Sequence, residues 1–189
     1  MQLRRVNRWA ARGTYGPVAI LPSGLADGDF VTPINETWTI QVGRIAHVAR
    51  DPKVAANTPG SLRIDGTGRR GRVPTLVYQV VRALASRRKG TVYTVDLLAR
   101  SRGLSRRVSV ETRVDYRDGS YEFFVAKPQG QQSAGGVPAG SSRGWIPLEV
   151  RAVAHKPAST LTIYAADTGM SPLRGSAWID DVTLATARP

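Results

Sequence analysis

The sequence predicts an all-β protein, an antiparallel β-sandwich of the jelly-roll kind with about eight strands and an extended N-terminal arm. Three observations carry that prediction. Apolar and polar residues alternate with a period of two along most of the chain after Asp27. Glycine, proline and Asx residues interrupt the alternation about every ten residues. No segment keeps the three-to-four-residue apolar spacing of a long amphipathic helix.

Residues 1–26 have no sustained period. They mix Arg4, Arg5, Arg8 and Arg12 with Gly13, Gly16, Pro17, Pro22 and Gly24, and read as a basic arm that orders against a partner. The apolar run from Pro17 to Pro22 is too short for the hydrophobic region of a signal peptide. The body is expected over 27–185, with a short tail at 186–189.

Within the body, strands are expected at Gly60 to Asp65, Thr75 to Ala85, Thr91 to Arg100, Arg107 to Tyr116, Ser120 to Ala126, Gly144 to His155, Thr160 to Ala166 and Ser176 to Leu184. Asp118-Gly119, between two alternating runs, is the strongest hairpin signal. Val108, Val110, Thr112, Val114 and Tyr116 share one face of their strand; Ser109, Glu111, Arg113 and Asp115 share the wet one. Tyr93, Val95, Leu97 and Ala99 form another inward set, as do Ile146, Leu148, Val150, Ala152 and Ala154. Tyr121 and Phe123 oppose Glu122 and Phe124, so only one of these pairs can enter the core.

The last strand carries Asp180 and Asp181 inside an apolar run. Strict alternation places Trp178, Val182 and Leu184 on the face of Asp180, and Ile179 and Thr183 on that of Asp181. A buried carboxylate needs a cation or hydrogen-bond donors, so the pair is expected to hold a metal, to meet an arginine or to cap backbone amides.

The net charge is +13, from 27 basic and 14 acidic residues, and 23 of the basic residues are arginine. Such a balance favours polyanionic neighbours: an acidic protein lattice or an anionic polymer. Arg69, Arg70 and Arg72, then Arg87, Arg88 and Lys89, then Arg100, Arg102, Arg106 and Arg107 fill consecutive turns, and some of these are expected to converge in one positive rim. No recognition helix or interleaved aromatics accompany them, which argues against sequence-specific nucleic-acid binding. No apolar run is long enough to span a membrane.

Catalytic patterns fail on context. The absence of cysteine removes thiol nucleophiles and thiolate metal sites, and two histidines leave little for zinc. Gly66-Thr67-Gly68-Arg69-Arg70-Gly71 matches a dinucleotide-binding pattern, but Val73-Pro74 and a β-branched run follow it in place of a helix. Ser142 lies in a nucleophile-elbow pattern with no helix behind it. No pair of glutamates is set up for glycoside hydrolysis. The expectation is a protein without catalysis.

Several pieces in order, Asp27-Gly28-Asp29-Phe30, Trp38, Gly60 to Ile64, Tyr78 to Val81, Gly90 to Val95, Trp145 to Leu148, Leu161 to Tyr164 and Ile179 to Leu184, resemble the jelly-roll carbohydrate-binding modules of the family 4/9/22 type. The resemblance spans nearly all of the chain from Asp27. It implies aromatic platforms on which sugar rings stack, for which Trp38, Tyr78, Tyr116, Tyr121 and Trp145, with Phe123 beside them, are the candidates. It also implies a structural calcium tying first strand to last through an acidic residue after the Gly-x-Phe start and an aspartate of the terminal Asp-Asp-Val. Asp181 matches the second; Val31 stands where the first falls, leaving Asp29 or Asp27 as neighbouring oxygen donors. No other cofactor is required.

Two functions follow. One is a structural or display subunit, such as a virion decoration or tail-associated protein of a bacteriophage, anchored by Arg4, Arg5, Arg8 and Arg12, with glycan adhesion as a second role. The other is a carbohydrate-binding module of a secreted polysaccharide-active system. Both place the protein outside the cell or on a virion surface.

Overall fold

The computed structural model describes residues 20–21, 24–57, 59–82, 89–128 and 135–187. In chain order they form β1 (Ile20–Leu21), α1 (Ile34–Thr37), β2 (Thr39–Gln41), β3 (Ala46–Asp51), β4 (Ser61–Thr67), β5 (Leu76–Arg82), β6 (Val92–Arg102), β7 (Ser109–Tyr116), β8 (Tyr121–Val125), β9 (Lys127–Pro128), β10 (Ile146–Val153), β11 (Ala158–Asp167) and β12 (Arg174–Ala187). The first sheet runs β1-β5-β11-β7-β8, with β2 also paired to β5; the second runs β3-β4-β12-β6-β10-β9. All pairings are antiparallel except the two-residue contact of β1 with β5. The protein is an all-β jelly-roll sandwich, and each of the eight expected strands is present.

The core lies between the sheets, where alternation put it. Tyr93, Val95, Leu97 and Ala99 of β6 pack with Leu148, Val150 and Ala152 of β10 and with Val110, Val114, Leu161 and Ile163 of the first sheet. Removing one such Leu or Ile from water is worth about 1.5–3 kcal/mol. The β7–β8 hairpin forms at Asp118-Gly119: Gly119 takes a φ of 81°, and the Asp118 carboxylate accepts the Ser120 N–H at 3.0 Å. Strands β1, β2, β3 and β9 lie outside the eight expected, β1 within the stretch read as an arm. They are short, and Ala46–Asp51 has too few large apolar residues to mark a face.

The largest departure from simple alternation is in β12. Register against β6 slips between Asp180 and Thr183, and Asp181 has a φ of 51°. This β-bulge changes the strand's parity, so Ala177, Ile179 and Val182 all enter the core while Trp178 faces away from it. Trp178 and Val182, expected on one face, are on opposite ones. The buried Asp180 carboxylate accepts the Ala56 N–H at 2.7 Å and the Asp181 N–H at 2.9 Å, and the Asp181 carboxylate accepts from the Asn57 amide at 2.5 Å. The two acids therefore fasten the loop before β4 onto the bulge. Gly28 completes the contact: its carbonyl accepts the Val182 N–H at 2.9 Å, and a Cβ there would lie 1.8 Å from the Val182 carbonyl oxygen.

Strand β12 continues through Ala187, paired with Val92, so residues 186–187 belong to the body and not to a tail. At the other boundary, the Ala26 backbone is held from both sides by the buried Gln79 amide. Among the described residues no helix is long and apolar enough to cross a membrane.

Candidate functional site

The outer face of the first sheet collects the side chains that alternation excludes from the core. Val77 and Val81 of β5, Leu161 and Ile163 of β11, and Val110 and Val114 of β7 point inward. Their neighbours Tyr78, Thr160, Thr162, Tyr164, Ser109, Glu111, Arg113 and Asp115 consequently share the opposite face. Register extends this face onto β8, where Phe123 sits opposite Arg113 and Tyr121 opposite Asp115. Phe124 goes inward against the core, which settles the parity of this strand.

Four aromatic rings line up across these strands. Tyr78 and Tyr164 are direct cross-strand partners with centroids 5.6 Å apart. Tyr164 and Phe123 follow at 6.2 Å, and Phe123 and Tyr121 at 5.7 Å. The row begins at Tyr78, which is 5% exposed, and opens at Tyr121, which is 39% exposed, with Tyr164 and Phe123 half-buried between them. Polar groups flank the rings. The Arg113 guanidinium lies 4.3 Å from the centre of the Tyr121 ring and donates to Asp115 through Nε at 2.8 Å. Thr160 Oγ1 donates to Asp115 at 3.4 Å, and Glu111, mostly buried, accepts from Ser109 Oγ at 2.5 Å. Apolar ring surface beside fixed donors and acceptors is the pairing that a sugar ring, apolar on its faces and polar at its rim, requires.

Of the expected platforms, Tyr78 and Tyr121 belong to this row, as does Phe123. Three others do not. Trp38 is 2% exposed, stacked at 5.3 Å on Phe30 inside the core, with its indole N–H donated to the Asp27 carbonyl at 3.1 Å. Tyr116 is 4% exposed and shares the inward parity of Val110 and Val114. Trp145 is half-buried just before β10, in the other sheet. Tyr164, absent from the expected set, was marked by its parity with Thr160 and Thr162, opposite to Leu161 and Ile163.

Tyr116 instead closes a polar cluster at the hairpin end. Its hydroxyl donates to Glu122 and accepts the His155 N–H at 3.2 Å, while His155 Nδ1 lies 2.9 Å from the same carboxylate. Burial, then the Glu122 bond, raises the Tyr116 pKa well above the usual phenol range. For Glu122 burial works upward, but the bonds from Tyr116 and His155 outweigh it and leave the carboxyl below its ordinary value.

The implied calcium pair is not assembled. Asp29 is exposed and Asp181 is engaged by Asn57. Asp27 spends its carboxylate on the Val31 N–H at 2.8 Å and the Thr32 hydroxyl at 2.6 Å. Among the described residues no three His, Cys, Asp or Glu side chains gather as a metal site. A guanidinium ties the Phe30 turn to the loop before β4: Arg50 donates to the Phe30 carbonyl at 2.6 Å and to the Pro59 carbonyl at 3.0 Å. The residues present do not fit the implied metal. The anchor arginines Arg4, Arg5, Arg8 and Arg12 lie outside the described residues, as do Arg87 and Arg88.

The outer face of the second sheet has a cleft of about 630 Å³ lined by Asp51, Lys53, Arg63, Arg102, Ser176 and Trp178 among others. Trp178 donates its indole N–H to Asp51 at 3.0 Å and lies under Arg63, whose guanidinium is 5.6 Å from the ring centre. Burial pushes the Asp51 carboxyl upward; the Trp178 bond, the Lys53 and Val54 amides at 2.9 and 3.2 Å, and Arg63 together bring it below the ordinary range.

No family model and no curated protein sequence matches this chain. Solved structures do. The CBM22-1 xylan-binding domain from Paenibacillus barcinonensis is 15% identical, with a TM-score of 0.58 over 91% of this chain and 99% of that one. The Clostridium thermocellum xylanase 10B fragment comprising CBM22-1 and GH10 modules, complexed with xylohexaose, has a TM-score of 0.54 at 13% identity, covering 86% of this chain and 28% of that one. The enzymatically active domain of bacteriophage CBA120 tailspike protein 4 has a TM-score of 0.58 at 15% identity, covering 89% of this chain and 22% of that one. The fold is thus a jelly-roll sandwich similar to those of solved carbohydrate-binding modules, here with an aromatic row across the outer face of one sheet.

Proposed function

We propose that this protein is a carbohydrate-binding module whose ligand, a polysaccharide chain, lies along the Tyr164–Phe123–Tyr121 part of the row, with the nearly buried Tyr78 packed against its inner end. The observation that carries the reading is the row itself: consecutive rings 5.6, 6.2 and 5.7 Å apart on one sheet, flanked by Arg113, Asp115 and Thr160. Successive rings can stack successive sugars, and the polar neighbours read hydroxyls. Likeness to xylan-binding domains makes xylan the first ligand to test. The module binds without cleaving. Ser142, the one nucleophile-elbow serine, donates to the Gly144 carbonyl at 2.7 Å and accepts the Ser101 N–H at 3.1 Å, which is the work of a loop clamp.

Binding to xylan, followed by affinity electrophoresis or calorimetry, is expected to weaken about tenfold in Tyr164→Ala and in Phe123→Ala, near 1.4 kcal/mol each. Tyr116→Phe, inside the sandwich, leaves affinity unchanged. If both face variants bind xylan as the unaltered protein does, the reading is wrong.

A second reading keeps the same face in a bacteriophage display or tail-associated subunit, exposed on the virion and anchored through Arg4, Arg5, Arg8 and Arg12. It is supported by the likeness to a tailspike domain. Removal of residues 1–19, which keeps β1 in the first sheet, then abolishes assembly while the body stays folded; assembly that survives the truncation dismisses it.

A further inference from the structure

We infer that the end of the sandwich beside the aromatic row binds the carboxylates of a uronate-bearing polysaccharide, so that the preferred ligand is acidic. The inference rests on the glycan-binding reading above and specifies its substrate class. The β4–β5, β6–β7 and β11–β12 connections meet at this end. Gly68 N–H donates to the Leu173 carbonyl at 2.6 Å, Gly71 N–H to that of Met170 at 3.3 Å, and Ser105 N–H to that of Arg174 at 3.0 Å. Arg106 locks them, its guanidinium donating to the Ser171 carbonyl at 2.6 Å, to the Pro172 carbonyl at 3.1 Å and to that of Thr168.

On this pinned base stand Arg69, Arg70, Arg72, Arg102, Arg107 and Arg174, all exposed. None of them forms an ion pair among the described residues. Segments 68–75, 102–108 and 168–174 contain no aspartate or glutamate; Asp167 at their border accepts the Gly169 N–H at 2.7 Å and interacts with Arg106, and Asp51 lines a cleft with Arg102, so the exposed guanidinium groups outnumber the carboxylates at this end. They also contain no aromatic residue, so this end supplies charge without a stacking surface of its own. Guanidinium groups match carboxylates in planar, two-bond geometry.

The end adjoins the row. Tyr78 is two residues from Leu76 and Tyr164 three from Asp167, which pair with each other where the first sheet meets these loops. At the rise of a strand that is roughly 7–10 Å. Arg72 and Arg107 enter β5 and β7 from the same side. A chain stacked on Tyr164 therefore brings its next residues, or its charged branches, toward these guanidinium groups.

The test is affinity electrophoresis of the full chain in glucuronoxylan and in the same polymer after carboxyl reduction. The unaltered protein is expected to bind the acidic form at least tenfold more tightly at low salt. The Arg70→Glu, Arg72→Glu, Arg107→Glu triple variant, with an unchanged melting temperature, is expected to bind both forms equally, at the affinity of the reduced polymer. Equal affinity of the unaltered protein for the two forms overturns the inference and leaves the aromatic-face reading standing. A triple variant that keeps the preference overturns the choice of surface. Polyphosphate that competes as well as polygalacturonate at matched charge overturns the assignment to uronate. If neither xylan binds, the aromatic-face reading fails, and polygalacturonate decides separately: retention that the triple variant loses upholds the basic end, and no retention overturns it.

Discussion

Both outer faces of the sandwich carry aromatic side chains, and they use them in opposite ways. On the second sheet Trp178 is 6% exposed, roofed by Arg63 and bonded through its indole N–H to Asp51. Its indole N–H is used within the protein, its ring is covered by a guanidinium, and little of it reaches solvent. On the first sheet Tyr164, Phe123 and Tyr121 pack ring to ring along the row and remain partly exposed, Tyr121 the most. An aromatic residue facing away from the core is therefore not in itself a binding platform. What distinguishes the two faces is whether neighbouring side chains have consumed the ring, and Arg113 beside Tyr121 shows that even on the open face one ring is partly claimed.

The comparison breaks most sharply at Trp178. Trp178→Ala is expected to cost about 3–5 kcal/mol of stability, because it removes a nearly buried ring and strands the Asp51 carboxylate. Xylan affinity of the folded fraction is unchanged. Chemical denaturation and electrophoresis on the same preparation test both halves, and a large loss of affinity with little loss of stability would reverse the roles assigned to the two faces.

A smaller effect, about 1–2 kcal/mol at neutral pH, is expected for Asp51→Asn, which keeps an acceptor for Trp178 but loses the charge that Arg63 and two backbone amides favour. Its pH dependence is more informative. The Asp51 pKa is depressed in the fold, so its contribution is complete above the ordinary carboxylate value and vanishes as pH falls through the folded value. The unaltered protein should thus lose stability from about pH 4 downward, and the variant less so over that window. Glu122, also depressed, contributes in the same direction and remains in both proteins. Parallel acid-unfolding curves would show that Asp51 is not the group that locks Trp178.

The smallest expected effect is at the open end of the row. Tyr121→Ala should change stability by less than about 1 kcal/mol, since the ring is 39% exposed, while weakening xylan binding a few-fold by removing the last stacking surface. Thermal unfolding and calorimetry measure the two, and unchanged affinity would shorten the site to Tyr164 and Phe123.

Much of this architecture was legible before any coordinates. The Val110, Thr112 and Val114 alternation fixed the inward face of β7, and its complement placed Arg113 and Asp115 on the candidate site. The Asp118-Gly119 turn joined β7 to β8 and so set Phe123 opposite Arg113. Trp38 was not legible as core, because it follows a single helical turn and belongs to no alternating run; it joins the core stacked on Phe30, which likewise lies outside any alternating run. Tyr116 carries the inward parity of Val110 and Val114 in its own strand, a signal that outweighs its aromatic character as a platform. Strand β12 resisted for a different reason, since one extra residue at Asp180–Asp181 reverses parity without altering composition.

The sequence by itself determined the all-β class, the eight main strands, the inward face of most of them and the excess of arginine, because period-two alternation and charge are local properties of the chain. The tertiary structure alone decided which aromatics stand together. Tyr78, Phe123 and Tyr164 come from three strands whose register is fixed by pairing across the sheet, and the arginine-bearing turns become one surface only when three connections close on the same end of the sandwich. Strand pairing is the physical step that converts separate one-dimensional patterns into a face.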